Sequence, residues 1–155
     1  MADMTKEEFS QHIRAYTLNM YRLAFSILRN DSDAEDAVSE AVIHAYEKRG
    51  SLHKMENFRG WILRITANEA KRIYRKNKWS SPVEWDENMS PAFYDEHHEL
   101  WDAVMKLEPG YRDVIVLYYY EQCSLKEISD ILGCREGTVK SRLYRAREQL
   151  RQMLL

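Results

Sequence analysis

Lysine and arginine side chains, whose charge and donors suit contacts with phosphate, concentrate in two segments of this 155-residue sequence. Residues 59–78 contain seven basic residues and one acid, and residues 135–155 contain six basic residues and two acids. Residues 79–110 contain eight acids and one lysine, so the formal net charge of the whole chain is only −2. Either basic segment alone would fit a solvated helix face, whereas two of them beside aromatic residues are typical of a nucleic-acid binder.

Catalytic and metal chemistry have no comparable pattern. The five histidines are scattered, and no serine, cysteine or carboxylate pair has the spacing of a catalytic triad. Cys123 and Cys134 are too few for a disulfide framework or a four-ligand zinc site, and their spacing from His97 and His98 fits no known metal site. We therefore expect a protein that is not an enzyme and that uses no cofactor and no metal.

Helical periodicity accounts for nearly all of the sequence outside the acidic segment. Three long helices are predicted at about 6–29, 33–49 and 57–77, and four shorter ones at about 98–106, 109–121, 124–132 and 136–153. Asp33 is expected to cap the second helix, and Pro109 is expected at the first position of the fifth. Serine, proline and acids in residues 79–97 predict a flexible linker. The predicted fold class is all-α, with two small helical domains.

Membrane insertion and export have no signal in the sequence. No apolar run approaches the ~18 residues that a membrane-spanning helix needs. The first residues also lack the apolar stretch of a signal peptide. We therefore expect a cytoplasmic protein with no membrane insertion.

The segment 124–144 has the most specific local pattern. Ser124 and Glu127 have the spacing of a capping box, Ser129 is small enough for a helix crossing, and Gly133 lies where a tight turn needs positive φ. Apolar residues that would hold the two helices together are Ile128, Leu132, Cys134 and Val139. This spacing predicts a helix-turn-helix, with an ordinary helical hairpin as the alternative.

Four stretches of the sequence, in this order, carry a resemblance to a known family. They are Asp33-Ala34-Glu35-Asp36-Ala37-Val38, Phe58-Arg59-Gly60-Trp61-Ile62, Leu107-Glu108-Pro109 with Tyr111-Arg112-Asp113-Val114, and Gly137-Thr138-Val139-Lys140-Ser141-Arg142-Leu143-Tyr144-Arg145-Ala146-Arg147. On these residues the chain resembles the bacterial extracytoplasmic-function (ECF) RNA polymerase sigma factors of the sigma-70 family.

The resemblance implies a separate role for each domain. Residues 1–78 would form sigma region 2, which binds core RNA polymerase and recognises and melts the minus-ten promoter element. Residues 79–97 would form the acidic linker, and residues 98–155 would form sigma region 4, whose helix-turn-helix reads the minus-thirty-five element. The implied function is promoter-specific transcription initiation. The implied partners are core RNA polymerase, through its clamp and flap, promoter DNA and an anti-sigma factor.

Three sets of residues are expected to make these contacts. The set for the minus-thirty-five element is Arg135, Thr138, Lys140, Ser141, Arg142, Tyr144 and Arg145. The set for the minus-ten element combines cations with rings that can stack on separated bases; it is Asn57, Phe58, Arg59, Trp61, Arg64, Asn68, Lys71, Arg72 and Arg75. The set for core polymerase follows an acidic helix face: Asp33, Asp36, Ser39, Glu40, Val42, Tyr46 and Glu47. The resemblance also implies a pocket for a flipped base, formed by residues 54–57 and Phe58.

Some residues depart from the family pattern, and two other interpretations stay open. Ser39 stands where the family often has Gln, Arg135 replaces the usual cap residue, and Ser129 replaces a common Ala. One alternative is a helix-turn-helix regulator that binds duplex DNA without polymerase, which an assay of polymerase retargeting would separate from a sigma factor. The other is a helical adaptor with solvated basic faces, against which a steep fall of DNA affinity with salt would argue.

Overall fold

The computed structural model describes residues 4–78 and 98–155. Within these two ranges every regular element is helical, so the predicted all-α fold class is confirmed. The α-helices are α1 (Lys6–Leu28), α2 (Asp31–Glu47), α3 (Phe58–Lys78), α4 (His98–Met105), α5 (Tyr111–Ile115), α6 (Leu125–Leu132) and α7 (Glu136–Leu154). The linker predicted at 79–97 lies outside the described residues.

The amino-terminal part, residues 4–78, is a bundle of α1, α2 and α3. Four alanines of α2 have 0% exposure, which lets α2 approach its two neighbours closely; they are Ala34, Ala37, Ala41 and Ala45. The prediction that Asp33 caps α2 is wrong. The cap is Asn30, whose Oδ1 accepts a hydrogen bond from the backbone N–H of Asp33 at 2.8 Å. Asn is as good a cap as Asp, so the helix begins earlier than the acidic pattern indicated.

The carboxy-terminal part, residues 98–155, contains α4 to α7. The helix predicted at 109–121 is divided, because α5 begins at Tyr111 and a π-helical turn follows at Val116–Tyr120. Pro109 therefore precedes the helix, and the expectation that it occupies the first helical position is wrong. Gly110, with φ of 90°, is the residue before α5. A proline in that preceding turn has no N–H to leave unpaired, which is why it is tolerated there.

The two parts pack against each other through apolar side chains. The ring centroids of Phe25 and Trp101 lie 6.2 Å apart. Buried residues of α1 and α3 belong to the same apolar cluster as buried residues of α4 to α7. Burial of apolar surface therefore favours an arrangement in which the two parts are in contact.

Two arginines cross this contact in opposite directions. Arg112 of α5 is 2% exposed and donates to the carbonyls of Ser26 at 2.6 Å and Ile27 at 3.1 Å, in the last turn of α1. Arg29, which follows α1, donates to the carbonyl of Met105 at the end of α4 at 3.0 Å. The last carbonyls of a helix have no intrahelical partner, so each arginine completes the carboxyl end of a helix in the other part.

Candidate nucleic-acid interface

The helix-turn-helix predicted from the sequence is present in α6 and α7. Ser124 caps α6 through a complete capping box with Glu127, and Gly133 ends α6 with φ of 71°. The Ser129 hydroxyl donates to the carbonyl of Cys134 and so holds the turn. Of the four residues expected to hold the helices together, Ile128, Leu132 and Val139 are buried, whereas Cys134 is only half-buried.

Most of the side chains expected at the minus-thirty-five element lie on the outer face of α7 or just before it. The exposed ones are Arg135, Lys140, Ser141, Tyr144 and Arg145. Tyr144 has 67% of its surface exposed, although its ring is apolar. Buried Val139, Leu143, Ala146 and Leu150 form the opposite face of the helix. The outer face of α7 and Arg135 before it therefore offer three cations, a serine hydroxyl and an aromatic ring to solvent.

Arg142 is placed differently from the rest of that set. Its side chain is half-buried, and its guanidinium lies 3.8 Å from the position that a Cβ would take on Gly110. Arg142 is also one of the charges near the buried carboxyl of Asp113. The structure thus turns Arg142 toward the core of the carboxy-terminal part, away from Lys140 and Arg145. Thr138 is half-buried as well.

Several residues expected at the minus-ten element form an open basic face on α3. The exposed members of the set are Asn57, Arg64, Asn68, Arg72 and Arg75. Arg72 has a local partner, because its guanidinium lies 3.2 Å from the carboxylate of Glu69. Asn68 is exposed in the middle of a helix, where it contributes little to helix stability and leaves its amide open to a ligand.

The aromatic residues of this set are less accessible than the sequence suggested. Phe58 is 1% exposed, and its ring packs against His12, Tyr16 and Trp61 at centroid distances of 5.0, 5.6 and 5.6 Å. Phe58 therefore supports the bundle from inside and does not present its ring for stacking. Trp61 is half-buried, and its indole N–H donates to the Ser51 hydroxyl at 3.3 Å.

A groove of about 790 Å³ lies beside the loop that was expected to hold a flipped base. Glu56 and Asn57 of that loop line it, together with Trp61 and Arg64 of α3. Its opposite wall belongs to the carboxy-terminal part: Glu127, Asp130 and Ile131. Lys54, Met55 and Phe58 are not among the lining residues.

Arg59 and Lys71, the remaining members of the set, are in contact with the carboxy-terminal part. The Arg59 guanidinium lies 2.8 Å from the Glu127 carboxylate, and its other terminal nitrogen donates to the carbonyl of Glu121 at 3.1 Å. Lys71 donates to the carbonyl of Leu132 at 2.6 Å. Two hydrogen bonds to the Glu127 carboxylate lower its pKa. The larger effect comes from the Ser124 backbone N–H and the next from the Arg59 guanidinium. Burial lowers the pKa of Lys71.

The residues expected to bind core polymerase lie along α2 on the outside of the bundle. Asp36, Ser39, Tyr46 and Glu47 are exposed, while Asp33, Glu40 and Val42 are half-buried. Asp33 accepts a hydrogen bond from the Asn77 amide at 2.8 Å, so one of its oxygens is occupied. The ring of Tyr46 lies 4.1 Å from the Arg49 guanidinium. The structure therefore brings this set together as a continuous acidic surface with an aromatic edge.

Sequence reasoning missed two kinds of residue at these surfaces. Ile43 is 51% exposed between Ser39 and Glu47 on the outer face of α2, and its position one turn from each could have been found from the helical period. Glu121 has a side chain with 0% exposure that accepts from Asn19 and, at 2.7 Å, from Arg22. No local sequence signal marks Glu121, because both partners lie about a hundred residues earlier in the chain.

In residues 4–78 and 98–155, no group of three or more His, Cys, Asp or Glu side chains is arranged to hold a metal ion. Among the helices of the same two ranges, none combines the length and apolar character that crossing a membrane requires.

Comparison with known proteins places these elements in one family. Residues 12–80 match the family model for sigma-70 region 2, and residues 97–150 match the model for sigma-70 region 4. The RNA polymerase sigma factor SigV of Bacillus subtilis is 32% identical over 140 residues, which covers 88% of this chain and 84% of SigV. The ECF RNA polymerase sigma factor SigW of the same species is 31% identical, covering 96% of this chain and 90% of SigW.

Solved structures give the same result. The sigma factor RpoE of Bartonella quintana, crystallised with the anti-sigma factor NepR, superposes with a TM-score of 0.81 at 27% identity and covers 96% of this chain and 97% of RpoE. CnrH, solved with the cytosolic domain of CnrY, superposes with a TM-score of 0.72 at 25% identity and covers 97% of this chain and 89% of CnrH. Members of the family matched here are transcription initiation factors and not enzymes, as the sequence predicted. The chain belongs to the ECF group of sigma-70 family RNA polymerase sigma factors and directs promoter-specific transcription initiation.

Proposed function

We propose that residues 1–78 bind core RNA polymerase and the minus-ten element, that residues 98–155 read the minus-thirty-five element, and that residues 79–97 join them. The observation that carries the proposal is the outer face of α7, the second helix of the helix-turn-helix, where Lys140, Tyr144 and Arg145 are exposed. A helix presented in this way enters the major groove, where long donors reach base edges and phosphates. Arg142 stays in the proposed set as a backbone contact that would require its side chain to turn outward.

The amino-terminal part has two surfaces suited to two different partners. The acidic face of α2, with Asp36, Ser39 and Glu47 around the apolar Ile43, suits a basic polymerase segment that forms ion pairs around an apolar contact. The basic face of α3, with Arg64 and its neighbours, suits the phosphates of separated DNA strands. We assign the first surface to the polymerase clamp and the second to the minus-ten element.

Two further partners and the location follow from the same proposal. The polymerase flap is assigned to the carboxy-terminal part, as the sequence resemblance implied. An anti-sigma factor is proposed because RpoE and CnrH, which share this fold, were solved with NepR and with the cytosolic domain of CnrY. We place the protein in the cytoplasm, where bacterial polymerase and chromosome are found.

Transcription in vitro with core polymerase, followed by mapping of the start sites, tests this proposal. The wild-type chain should direct initiation at discrete promoters. Arg145→Ala should lower promoter binding by about 1–3 kcal/mol and relax the sequence preference at one position of the minus-thirty-five element. Arg151→Ala is the matched control, because Arg151 lies on the last turn of the same helix and its guanidinium is 4.0 Å from Glu148. Unchanged promoter choice in Arg145→Ala would refute the placement of α7.

A further inference from the structure

We propose that Arg147 is a further residue of the DNA-binding surface and that Tyr119 positions its guanidinium for a phosphate of duplex DNA. Neither residue belongs to the three sets of contact residues expected from the sequence. Tyr119 lies in the π-helical turn Val116–Tyr120, and Arg147 lies in α7. The inference rests on the proposed function of α7 and adds to it a contact with the DNA backbone.

The contact between the two side chains fixes one end of the guanidinium. The Nε–H of Arg147 donates to the Tyr119 hydroxyl at 2.6 Å. The guanidinium carbon lies 5.6 Å from the ring centroid of Tyr118 and 5.7 Å from that of Tyr119, within the ~6 Å range of a cation–π interaction. Arg147 is exposed, and Tyr119 has 49% of its surface exposed. The hydroxyl and the two rings therefore hold a surface arginine in one orientation.

The contact with Tyr119 leaves the terminal nitrogens of Arg147 available. Within residues 4–78 and 98–155, no hydrogen bond or ion pair occupies either of them. The next carboxylate along the helix, Glu148, lies 4.0 Å from the guanidinium of Arg151. A guanidinium with free terminal N–H groups binds two oxygens of one phosphate as a bidentate pair. Because Tyr119 already orders the side chain, this binding costs less conformational entropy than it would for a mobile arginine.

The position of Arg147 on α7 places it beside residues proposed to reach DNA. It follows Tyr144 by three residues and Lys140 by seven, so the three side chains lie along one side of the helix. At 1.5 Å per residue, Arg147 lies about 10 Å beyond Lys140 along the axis. The amino-terminal residues of the second helix read base edges in a helix-turn-helix. We therefore expect a long cation two turns later to contact the phosphates at the edge of the groove, where it would fix the orientation of the helix.

The π-helical turn brings Tyr119 to this place on the surface. The backbone N–H of Glu121 donates to the carbonyl of Val116, five residues earlier, at 2.9 Å. A turn closed in this way contains one residue more than an α-helical turn, which changes the direction of the side chains that follow. Leu117 remains fully buried, whereas Tyr119 is exposed beside α7, with its ring centroid 4.9 Å from that of Tyr118. The turn therefore supplies a supported hydroxyl that a regular helix would direct elsewhere.

The first test is Arg147→Ala in the full chain, with binding to a fluorescein-labelled 30-base-pair duplex of mixed sequence measured by anisotropy at about 50–200 mM salt. Loss of one phosphate contact should reduce the slope of log affinity against log salt concentration by about 0.9. Because such a contribution vanishes near 1 M salt, the affinity at 0.1 M should fall about eightfold, and equally on a second duplex of unrelated sequence. Arg151→Ala, the matched control, removes the same charge one turn further along α7 and should stay within about twofold of the wild type. An Arg147→Ala variant that behaves like this control would overturn the proposal.

Tyr119→Phe tests the positioning role, because it removes only the hydroxyl that accepts the bond from Arg147. The guanidinium can still contact a phosphate but must be ordered on binding, so the affinity should fall about threefold while the salt slope stays the same. In the Arg147→Ala background the same change should have no effect, which a merely structural role of Tyr119 would not produce. Tyr111→Phe, the control, removes a tyrosine hydroxyl at the start of α5 and should leave DNA affinity unchanged. An equal loss from Tyr119→Phe in both backgrounds, or no loss in either, would refute the positioning role.

Lys140→Ala in the same assay separates this inference from the proposed function. If Lys140→Ala and Arg147→Ala both leave the affinity and the salt slope unchanged, α7 does not bind DNA, and the proposed function and this inference are both wrong. If Lys140→Ala weakens binding while Arg147→Ala matches Arg151→Ala, the proposed function of α7 stands and the assignment of Arg147 is wrong.

Discussion

Replacement of Arg112 by Met should destabilise the fold more than any loss of an exposed charge. The guanidinium donates to three carbonyls, Ser26 at 2.6 Å, Leu107 at 2.7 Å and Ile27 at 3.1 Å, and the side chain is 2% exposed. Three buried carbonyls left without partners cost about 3–9 kcal/mol together, at about 1–3 kcal/mol each. Burial lowers the pKa of Arg112 from its ordinary value to about 10, a desolvation cost of about 3 kcal/mol that Met does not incur.

With about 6 kcal/mol for the carbonyls, the middle of that range, the difference between these two effects is a net loss of about 3 kcal/mol in the free energy of unfolding. Urea unfolding followed by circular dichroism measures it. Arg14→Met, the same substitution at an exposed position of α1, is the control and should change stability by less than about 0.5 kcal/mol. The stability loss of Arg112→Lys should fall between those of Arg112→Met and Arg14→Met, because a compact ammonium cannot reach all three carbonyls as the forked guanidinium does. A loss below about 1 kcal/mol for Arg112→Met would show that water or another group satisfies these carbonyls.

Three other substitutions or treatments test local features. Gly133→Ala should cost about 1 kcal/mol of unfolding free energy and Gly133→Asn less, because φ is 71° there; equal losses for the two variants would argue against backbone strain. Burial raises the pKa of Cys123 to about 11, so its alkylation should be slow at pH 8 and should accelerate about tenfold per pH unit. Peptide mass spectrometry measures the alkylation rate, and a rate at pH 8 like that of an unfolded peptide would contradict this expectation. Burial also raises the pKa of Asp113 above its ordinary 3.8, so its ionisation opposes folding and the stability of the wild type should fall as pH rises through the folded pKa. Asp113→Asn should not show this decrease, and parallel curves of unfolding free energy against pH for the two proteins would refute the expectation.

Elements marked by local signals could be predicted from the sequence, and the helix-turn-helix shows why. The capping box of Ser124 with Glu127 and the turn at Gly133 depend on residues within one or two turns of each other. Such signals predicted both ends of α6. The error at Asp33 arose because Asn30, a neighbouring residue of similar capping propensity, took the cap position. The error at Pro109 has another origin, because Gly110 with φ of 90° separates that proline from the first turn of α5.

Contacts between the two parts could not be predicted from periodicity. Arg59 is a cation in a basic segment, which predicts a contact with DNA, whereas in the structure its guanidinium donates to the Glu127 carboxylate and the Glu121 carbonyl. Its partner Glu127 was assigned only to the capping box, and one carboxylate serves both roles through separate oxygens. The contacts of Arg112 and Glu121 with α1 had no local signal, because their partners in α1 lie 85–102 residues away and only the folded chain brings them together.

The two surfaces proposed to bind promoter DNA differ in accessibility. The outer face of α7 is exposed while the two parts are in contact, whereas α6 covers Arg59 and Lys71 on α3. The side chains proposed for the minus-thirty-five element are therefore open to solvent on α7, whereas two of the cations proposed for the minus-ten element already have partners in the carboxy-terminal part.

The distance between the two promoter elements can be compared with the size of the chain. Elements named minus-thirty-five and minus-ten lie about 25 base pairs apart, which is about 85 Å at ~3.4 Å per base pair. A compact chain of this length has a radius of gyration of about 15 Å and a diameter of about 40 Å. Residues 79–97 can span at most about 65 Å when extended. The widths of the two parts supply the rest of the ~85 Å between the elements. If the two parts bind these two elements as proposed, simultaneous binding requires the two parts to separate, and the free energy of their contact weakens promoter binding.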